Sequence, residues 1–354
     1  MPHDFLVNRK DLASTQIVSS EKPAINDQQI LIRVNRYGLT ANNITYGVAG
    51  DMIGYWQFFP ATGDMGRIPV WGIGTVEESN VAEIPVGSRY YGYYPMSDYL
   101  VVEPQHITAR GMSDASAHRA SLPPTYNQYS LMTAANGFPP EHDSYQMIYR
   151  PLFMTGFVLD DYFADNNFFG AQQIILSSAS SKTAFSMAYL LEDRDVRVIG
   201  LTSEGNSGFV ADVGLYDDVV TYDTISRLDA SIPTAYVDMS GNRRVLSEVH
   251  HHFADNLVNS CGVGITHYDA REGADPASLP GAKPGMFFAP SQLQKRTAEW
   301  GAEKLQQAIN EAWLRFIADV DRWVKIEEST DVAATYQTVL KGASPDRGYI
   351  VINE

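Results

Sequence analysis

The sequence predicts an α/β protein of two domains, one β-rich and one doubly wound around a parallel sheet, and three observations predict it. The chain of 354 residues is longer than a single core comfortably accommodates. Residues 5–110 break into short apolar or aromatic runs separated by Gly, Pro and Asn, as in a compact barrel-like sheet. From Ile174 onward, β-branched apolar runs alternate with stretches of helical periodicity, as in a parallel sheet covered on both faces.

In chain order, residues 30–34 (Ile-Leu-Ile-Arg-Val) alternate, and residues 69–76, 89–94 and 99–102 read as further short strands. Residues 111–150, with Pro123-Pro124, Asn136-Gly137 and Pro139-Pro140, read as loop plus short helix. Strands of the doubly wound domain are expected at residues 174–176, 196–201, 218–221, 235–239 and 261–265. From Ser291, the positions Leu305, Ile309, Ala312, Trp313, Phe316, Ile317 and Val320 share one face of a long amphipathic helix. A helix at residues 332–340 and a strand at residues 348–352 then rejoin the first domain. The expected partition is residues 1–150 with 291–354, and residues 151–290.

Composition narrows the function. A net charge of -16 argues against nucleic acid or an anionic membrane as partner. The single cysteine, Cys261, excludes a disulfide framework and any zinc site of several cysteines, and fits a reducing cytoplasm. No apolar run is long enough to span a bilayer, and the N-terminus lacks the pattern of a secretory signal, so the expected location is cytoplasmic.

The stretch with most chemistry is residues 170–203. An apolar run, Ile174 to Leu176, stops at Ser177-Ser178-Ala179-Ser180-Ser181, and a helical pattern starts at Lys182-Thr183. The next strand follows after about two dozen residues, the length of a βαβ crossover. Such a turn lies at the carboxyl end of a parallel strand, where open α/β sheets bind ligands. Free N–H groups and the positive dipole end of the helix favour a phosphate there, with Lys182 and Thr183 adding a cation and a hydroxyl. The plain alternative is that Ser181 simply caps a helix. A nucleotide-hydrolysing P-loop is excluded by its missing glycines.

Four further stretches carry a resemblance: residues 37–46 (Tyr-Gly-Leu-Thr-Ala-Asn-Asn-Ile-Thr-Tyr), 86–92 (Val-Gly-Ser-Arg-Tyr-Tyr-Gly), 214–222 (Gly-Leu-Tyr-Asp-Asp-Val-Val-Thr-Tyr) and 238–241 (Asp-Met-Ser-Gly). With the order of the parts, they resemble the medium-chain dehydrogenase/reductase superfamily on its zinc-independent quinone oxidoreductase side. Within it, the whole chain is most similar to an uncharacterised bacterial family known only as a domain of unknown function. The resemblance implies a GroES-like β-rich domain and a Rossmann-like domain. It also implies an Asn and a Tyr near the nicotinamide, here Asn42 or Asn43 and Tyr46. The dinucleotide would lie against Ser178, Ser180, Ser181, Lys182, Thr183, Thr202, Ser203, Asn206, Tyr222, Met239, Ser240 and Gly241.

This chain departs from the pattern in three places. Zinc-using relatives carry a Cys within the segment here occupied by Thr40 to Asn43 and a Gly-His-Glu where this chain has Gly72-Ile73-Gly74, so no metal is expected. Ser-Ala-Ser-Ser-Lys replaces the glycine fingerprint. Residues 131–150 read as an insertion.

The second strand ends in Thr202-Ser203 rather than an acidic residue. Hydroxyls there, with Tyr222, favour NADP(H) over NAD(H), although both also read as ordinary turn residues. Hydride transfer to a carbonyl or conjugated enone needs a donor for the charge that develops, and Tyr46 is the candidate, with Asn42 and Asn43 orienting. Tyr55, Trp56, Tyr126 and Asn127 read either as walls of an apolar pocket or as core. Adjacent positions in His250-His251-His252 point about 100° apart on a helix and cannot converge on one ion, so solvent exposure is expected.

The activity expected is an NADP(H)-dependent reductase of a small, mainly apolar molecule, acting as a homodimer. The alternatives are a lyase or isomerase that retains NADP, and a non-catalytic nucleotide sensor on the same scaffold.

Overall fold

The computed structural model describes residues 2–263 and 278–353. The chain divides into two compact units, one made of residues 1–150 and 324–354 and the other of residues 151–323.

In the first unit, the strands Lys325–Ser329, Arg347–Ile352, Ile30–Leu39, Pro69–Ser79, Arg89–Pro95, Gln128–Leu131, Gly111–Asp114 and Pro104–Thr108 follow one another in a single sheet, with Tyr99–Val102 paired to the first half of Ile30–Leu39. A smaller sheet holds Asp11–Ser19, His3–Asn8 and Met65–Gly66. Ile30, Ile32, Val34, Val70, Tyr93 and Tyr94 are fully buried and fill the space inside. The C-terminal strand rejoins this sheet by pairing antiparallel with Ile30–Leu39.

Residues 111–150 are more ordered than loop plus short helix. They contain the two strands Gly111–Asp114 and Gln128–Leu131, which pair with each other, and the first turns of the helix Asp143–Asp165. Each strand is only four residues long and flanked by turn residues, so neither builds a readable alternation. Residues 131–142 of the expected insertion form mainly single turns of 3₁₀-helix.

In the second unit, six parallel strands run in the order Asp218–Thr221, Arg197–Thr202, Gln173–Ser177, Thr234–Asp238, Leu257–Gly262, Gly285–Met286. Every residue of Gln173–Ser177 and Thr234–Asp238 is buried, apolar in the middle of each strand and polar at its ends. The direction of winding reverses between these two strands, which makes the gap at their carboxyl ends the switch point of the sheet. Gly200 leaves room for the turn after Gln173–Ser177 and for the Tyr216 ring: a Cβ there would lie 2.9 Å from that ring and 3.2 Å from Ala179 Cβ. The fifth strand ends at Gly262; the expected end, Ile265, lies outside the described residues.

The long helix expected from Ser291 is two helices, Ala289–Trp300 and Ala302–Asp319, broken at Gly301, whose φ of 84° is readily adopted only by glycine. Both belong to the second unit, which corrects the assignment of residues 291–323 to the β-rich domain. Polar and aromatic contacts explain why. Arg296 pairs with Asp161 at 2.8 Å and with Asp165 at 3.1 Å, and Gln292 donates to Asp161 Oδ2 at 2.6 Å. Trp313 and Phe316 stack on Phe153.

The Arg296 side chain is only 12% exposed, so its removal leaves two carboxylates short of a partner in a poorly hydrated place. Arg296→Ala should lower unfolding stability by about 2 kcal/mol in urea titrations, whereas a purely surface pair would cost under about 1 kcal/mol.

Candidate functional site

The turn at the switch point is built as a strand, one left-handed residue, and a capped helix. Ser178 has φ of 52°, a conformation that disfavours most side chains and is where a fingerprint glycine would be at home. Three contacts hold it in shape. Ser178 N–H donates to Tyr222 Oη at 3.2 Å, Ala179 N–H to Leu201 O at 3.1 Å, and Ser181 N–H to Ser178 O at 2.7 Å. Tyr216 Oη donates to Ala179 O at 2.8 Å, and Asn206 Nδ2 to Ser180 Oγ at 3.1 Å. Ser181 does cap the helix Lys182–Leu191, accepting from Ala184 N–H at 3.2 Å. Capping and anion binding are therefore not exclusive here, because Ser180, Ser181, Lys182 and Thr183 all remain half-buried rather than enclosed.

The other expected cofactor residues divide into three groups. Ser203, Asn206 and Tyr222 surround the same turn, half-buried, with Ser203 at the N-cap of Glu204–Val213. Burial raises the Tyr222 phenol above its ordinary pKa, so it stays protonated, and its oxygen, already accepting from Ser178, keeps a proton to donate. Thr202 is different. It is 1% exposed in the parallel pair with Thr221, so its hydroxyl faces the protein and not a ligand. Met239, Ser240 and Gly241 are half-buried, but their N–H groups turn inward to Ser177 and Asp238. Ser177, Asp238 and Tyr216 lie in the stretches the sequence pointed to but were assigned no role of their own; the one available signal was a carboxyl group ending an otherwise apolar strand.

In the first unit, Tyr46 lies on the helix Ala41–Val48, whose N-cap is Thr40. Its hydroxyl accepts from Asn42 Nδ2 at 2.7 Å, one helical turn back, and from Trp71 Nε1 at 3.4 Å. Two donors on the oxygen leave the phenolic proton to be given away and stabilise charge on that oxygen. The Tyr46 ring packs on Tyr55 at 4.5 Å, and Tyr55 Oη shares a hydrogen bond of 3.1 Å with Tyr126 Oη. Burial pushes all three phenols up, Tyr55 to about 12 and the other two further, so they are neutral at physiological pH.

The remaining expected residues here are structural. Asn43 is consumed by a capping box: its Oδ1 accepts from Thr40 N–H at 2.8 Å and its Nδ2 donates to Pro69 O at 3.0 Å. Trp56 is core, seated so tightly over Gly66 that a Cβ there would lie 2.4 Å from its ring. Asn127 is buried, with Nδ2 donating to Arg119 O at 3.4 Å beside the fully buried Arg119–Asp114 ion pair. Trp71, which the sequence did not single out, touches Tyr46, Tyr91, Tyr93 and Tyr126.

The histidine run also departs from expectation. His251 is exposed, but His250 is fully buried, donating from Nδ1 to Pro280 O at 2.9 Å and accepting at Nε2 from Ser260 Oγ at 2.9 Å. His252 is half-buried against Leu228 O. Among the described residues, no group of three or more His, Cys, Asp or Glu side chains is placed to hold a metal ion.

Residues 37–345 match the model of a family described as "Protein of unknown function (DUF2855)". The chain belongs to this family. No curated protein matches it. Among solved structures, the chain is similar to CurA from Vibrio vulnificus in complex with NADPH, at 14% identity and TM-score 0.62 over 99% of each chain. It is also similar to a putative NADPH:quinone reductase from Bacillus thuringiensis, at 14% identity and TM-score 0.59, covering 100% of this chain and 99% of that one. A third is Haloferax mediterranei glucose dehydrogenase in complex with NADP, Zn and gluconolactone, at 11% identity and TM-score 0.60 over 99% of each chain. At such identities the likeness concerns the fold: a GroES-like unit and a Rossmann-like unit, as in the medium-chain dehydrogenase/reductase superfamily.

Burial lowers the pKa of His250 in the folded protein below its ordinary value. The neutral ring is the form that folds, so its contribution is fully present above an unfolded pKa of about 6.5 and is lost as pH falls below it. His250→Gln should therefore be less stable than the wild type at pH 7.5, with the gap narrowing at pH 5.5 in paired urea titrations.

Proposed function

We propose that this protein is an NADP(H)-dependent, zinc-independent oxidoreductase that reduces a carbonyl or a conjugated enone of a small, mainly apolar molecule. The observation that carries the reading is the hydroxyl-lined turn at the switch point. It precedes a ten-residue helix and carries Lys182, and its donor set of Ser180, Ser181, Thr183 and one cation fits a phosphate group. The absence of an acidic side chain at Thr202-Ser203 supports NADP(H), with Ser203, Asn206 and Tyr222 as the groups that would receive the additional phosphate. Zinc independence is supported by Thr40 to Asn43 and Gly72-Ile73-Gly74, which offer neither a thiolate nor an imidazole.

When bound, the reduced dinucleotide would supply a hydride to the substrate. The electron pair displaced from the substrate's double bond would come to rest on its oxygen, which needs a donor. Tyr46 is the residue for that task, since Asn42 and Trp71 donate to its oxygen and leave its own proton to be given. The net proton is taken from water. Tyr55, Tyr126 and Trp71 provide the apolar, aromatic wall suited to a substrate with little charge. A cytoplasmic homodimer completes the proposal.

Fluorescence titration should show NADPH binding more tightly than NADH, and no binding of either would overturn the assignment. Tyr46→Phe should reduce turnover at least tenfold, while the Kd for NADPH stays within twofold. Unchanged turnover would remove Tyr46 from the reaction.

A further inference from the structure

The switch point is crossed by a hydrogen-bond network centred on two residues, Ser177 and Asp238, that are not among the expected cofactor residues. Ser177, the last residue of its strand, is fully buried, and Asp238, the last residue of the adjacent strand, is 1% exposed. Ser177 Oγ donates to Asp238 Oδ1 at 2.9 Å and accepts from Met239 N–H at 2.9 Å and Ser240 N–H at 3.1 Å. The same Asp238 oxygen accepts from Ser240 N–H at 3.0 Å, Ser240 Oγ at 2.8 Å, Gly241 N–H at 3.1 Å and Tyr236 Oη at 3.3 Å. A buried carboxyl group is tolerated only with such a set of partners, and each partner is thereby fixed in place. Three consecutive N–H groups of the loop after one strand are thus gathered onto the side chains that end the two central strands.

The consequence lies in what is joined to what. Ser177 is covalently followed by Ser178, the left-handed residue of the turn, and Asp238 is followed by Met239-Ser240-Gly241. We propose that Ser177 and Asp238 are positioning residues that lock the Ser178–Ser181 turn to the Met239–Gly241 loop. The two segments then form one rigid cradle across the switch point for the cofactor. The N–H groups of the loop and the Ser240 hydroxyl point inward, so the loop offers a ligand the Met239 side chain and its carbonyl groups, while phosphate recognition falls to the turn and to the start of the helix. Tyr222, bound to Ser178 N–H from the third strand, braces the same cradle from its other side. The cofactor part of this inference rests on the functional reading above; the mechanical part does not.

The test uses the full-length protein and two readouts. Ser177→Ala removes one hydroxyl from the network; it should speed amide hydrogen exchange at least tenfold in both segments, Ser178–Ser181 and Met239–Gly241. It should also raise the Kd for NADPH at least tenfold, with turnover at saturating NADPH kept within threefold. Asp238→Asn retains an acceptor oxygen and should stay within threefold of the wild type in Kd, whereas Asp238→Ala should resemble Ser177→Ala. If Asp238→Ala does not fold, Ser177→Ala and Asp238→Asn decide the matter alone. Exchange within twofold of the wild type in both segments of Ser177→Ala would overturn the lock. Loosening of both segments in a protein whose wild type binds no NADPH would support the lock and overturn the functional reading instead.

Discussion

A carboxyl group enclosed at the end of an apolar parallel strand has to be surrounded by donors, and Asp238 is the point on which the second unit depends. Its partners come from its own strand, from the loop that follows, and from the end of the neighbouring strand. Satisfying one buried group therefore sets the geometry at the place where the sheet changes its direction of winding. Fingerprint glycines, in folds of this type, let a backbone approach a pyrophosphate closely. Here serines and an alanine stand in the turn instead. Ser178 takes the left-handed conformation, and Gly200 on the adjacent strand leaves room for Ala179 and the Tyr216 ring.

The first unit solves a different problem by similar means. Five aromatic side chains, Tyr46, Tyr55, Trp71, Tyr93 and Tyr126, pack as one cluster whose ring centroids lie 4.5 to 6.5 Å apart in the contacts formed by Tyr46 and Tyr55. Several of their polar groups meet partners that the packing brings within reach. Tyr46 thus acquires two donors and Tyr55 shares a bond with Tyr126. The same burial that packs the ring keeps the phenol protonated, and a protonated phenol in an apolar wall is a hydrogen-bond donor rather than a base.

Part of this was legible in the chain. Lys182–Leu191 shows its helical face and its serine cap within a dozen residues, and the strands on either side show their apolar runs. Asn42 and Tyr46 stand one helical turn apart and meet for that reason alone. Other positions misled. Asn43 looks as polar and as well placed as Asn42, yet the capping box takes it. Thr202 looks like a strand-end hydroxyl, yet the sheet runs far enough to enclose it. His250 is followed by the exposed His251, yet it lies on the buried face of its helix with Leu246 and Phe253. Leu305 to Val320 gave the correct amphipathic pattern, but a pattern identifies a buried face without saying which unit buries it.

The sequence by itself determined the fold class and the strand, turn and helix around Lys182, because each depends on periodicity or spacing within a few turns of chain. Only the tertiary structure decided that Ser177 meets Asp238 across 61 positions, that Tyr222 reaches Ser178 across 44, and that Arg296 ties its helix to Asp161. Those contacts follow from strand order and register. Both are settled by the burial of whole faces at once, and no local stretch of residues encodes them.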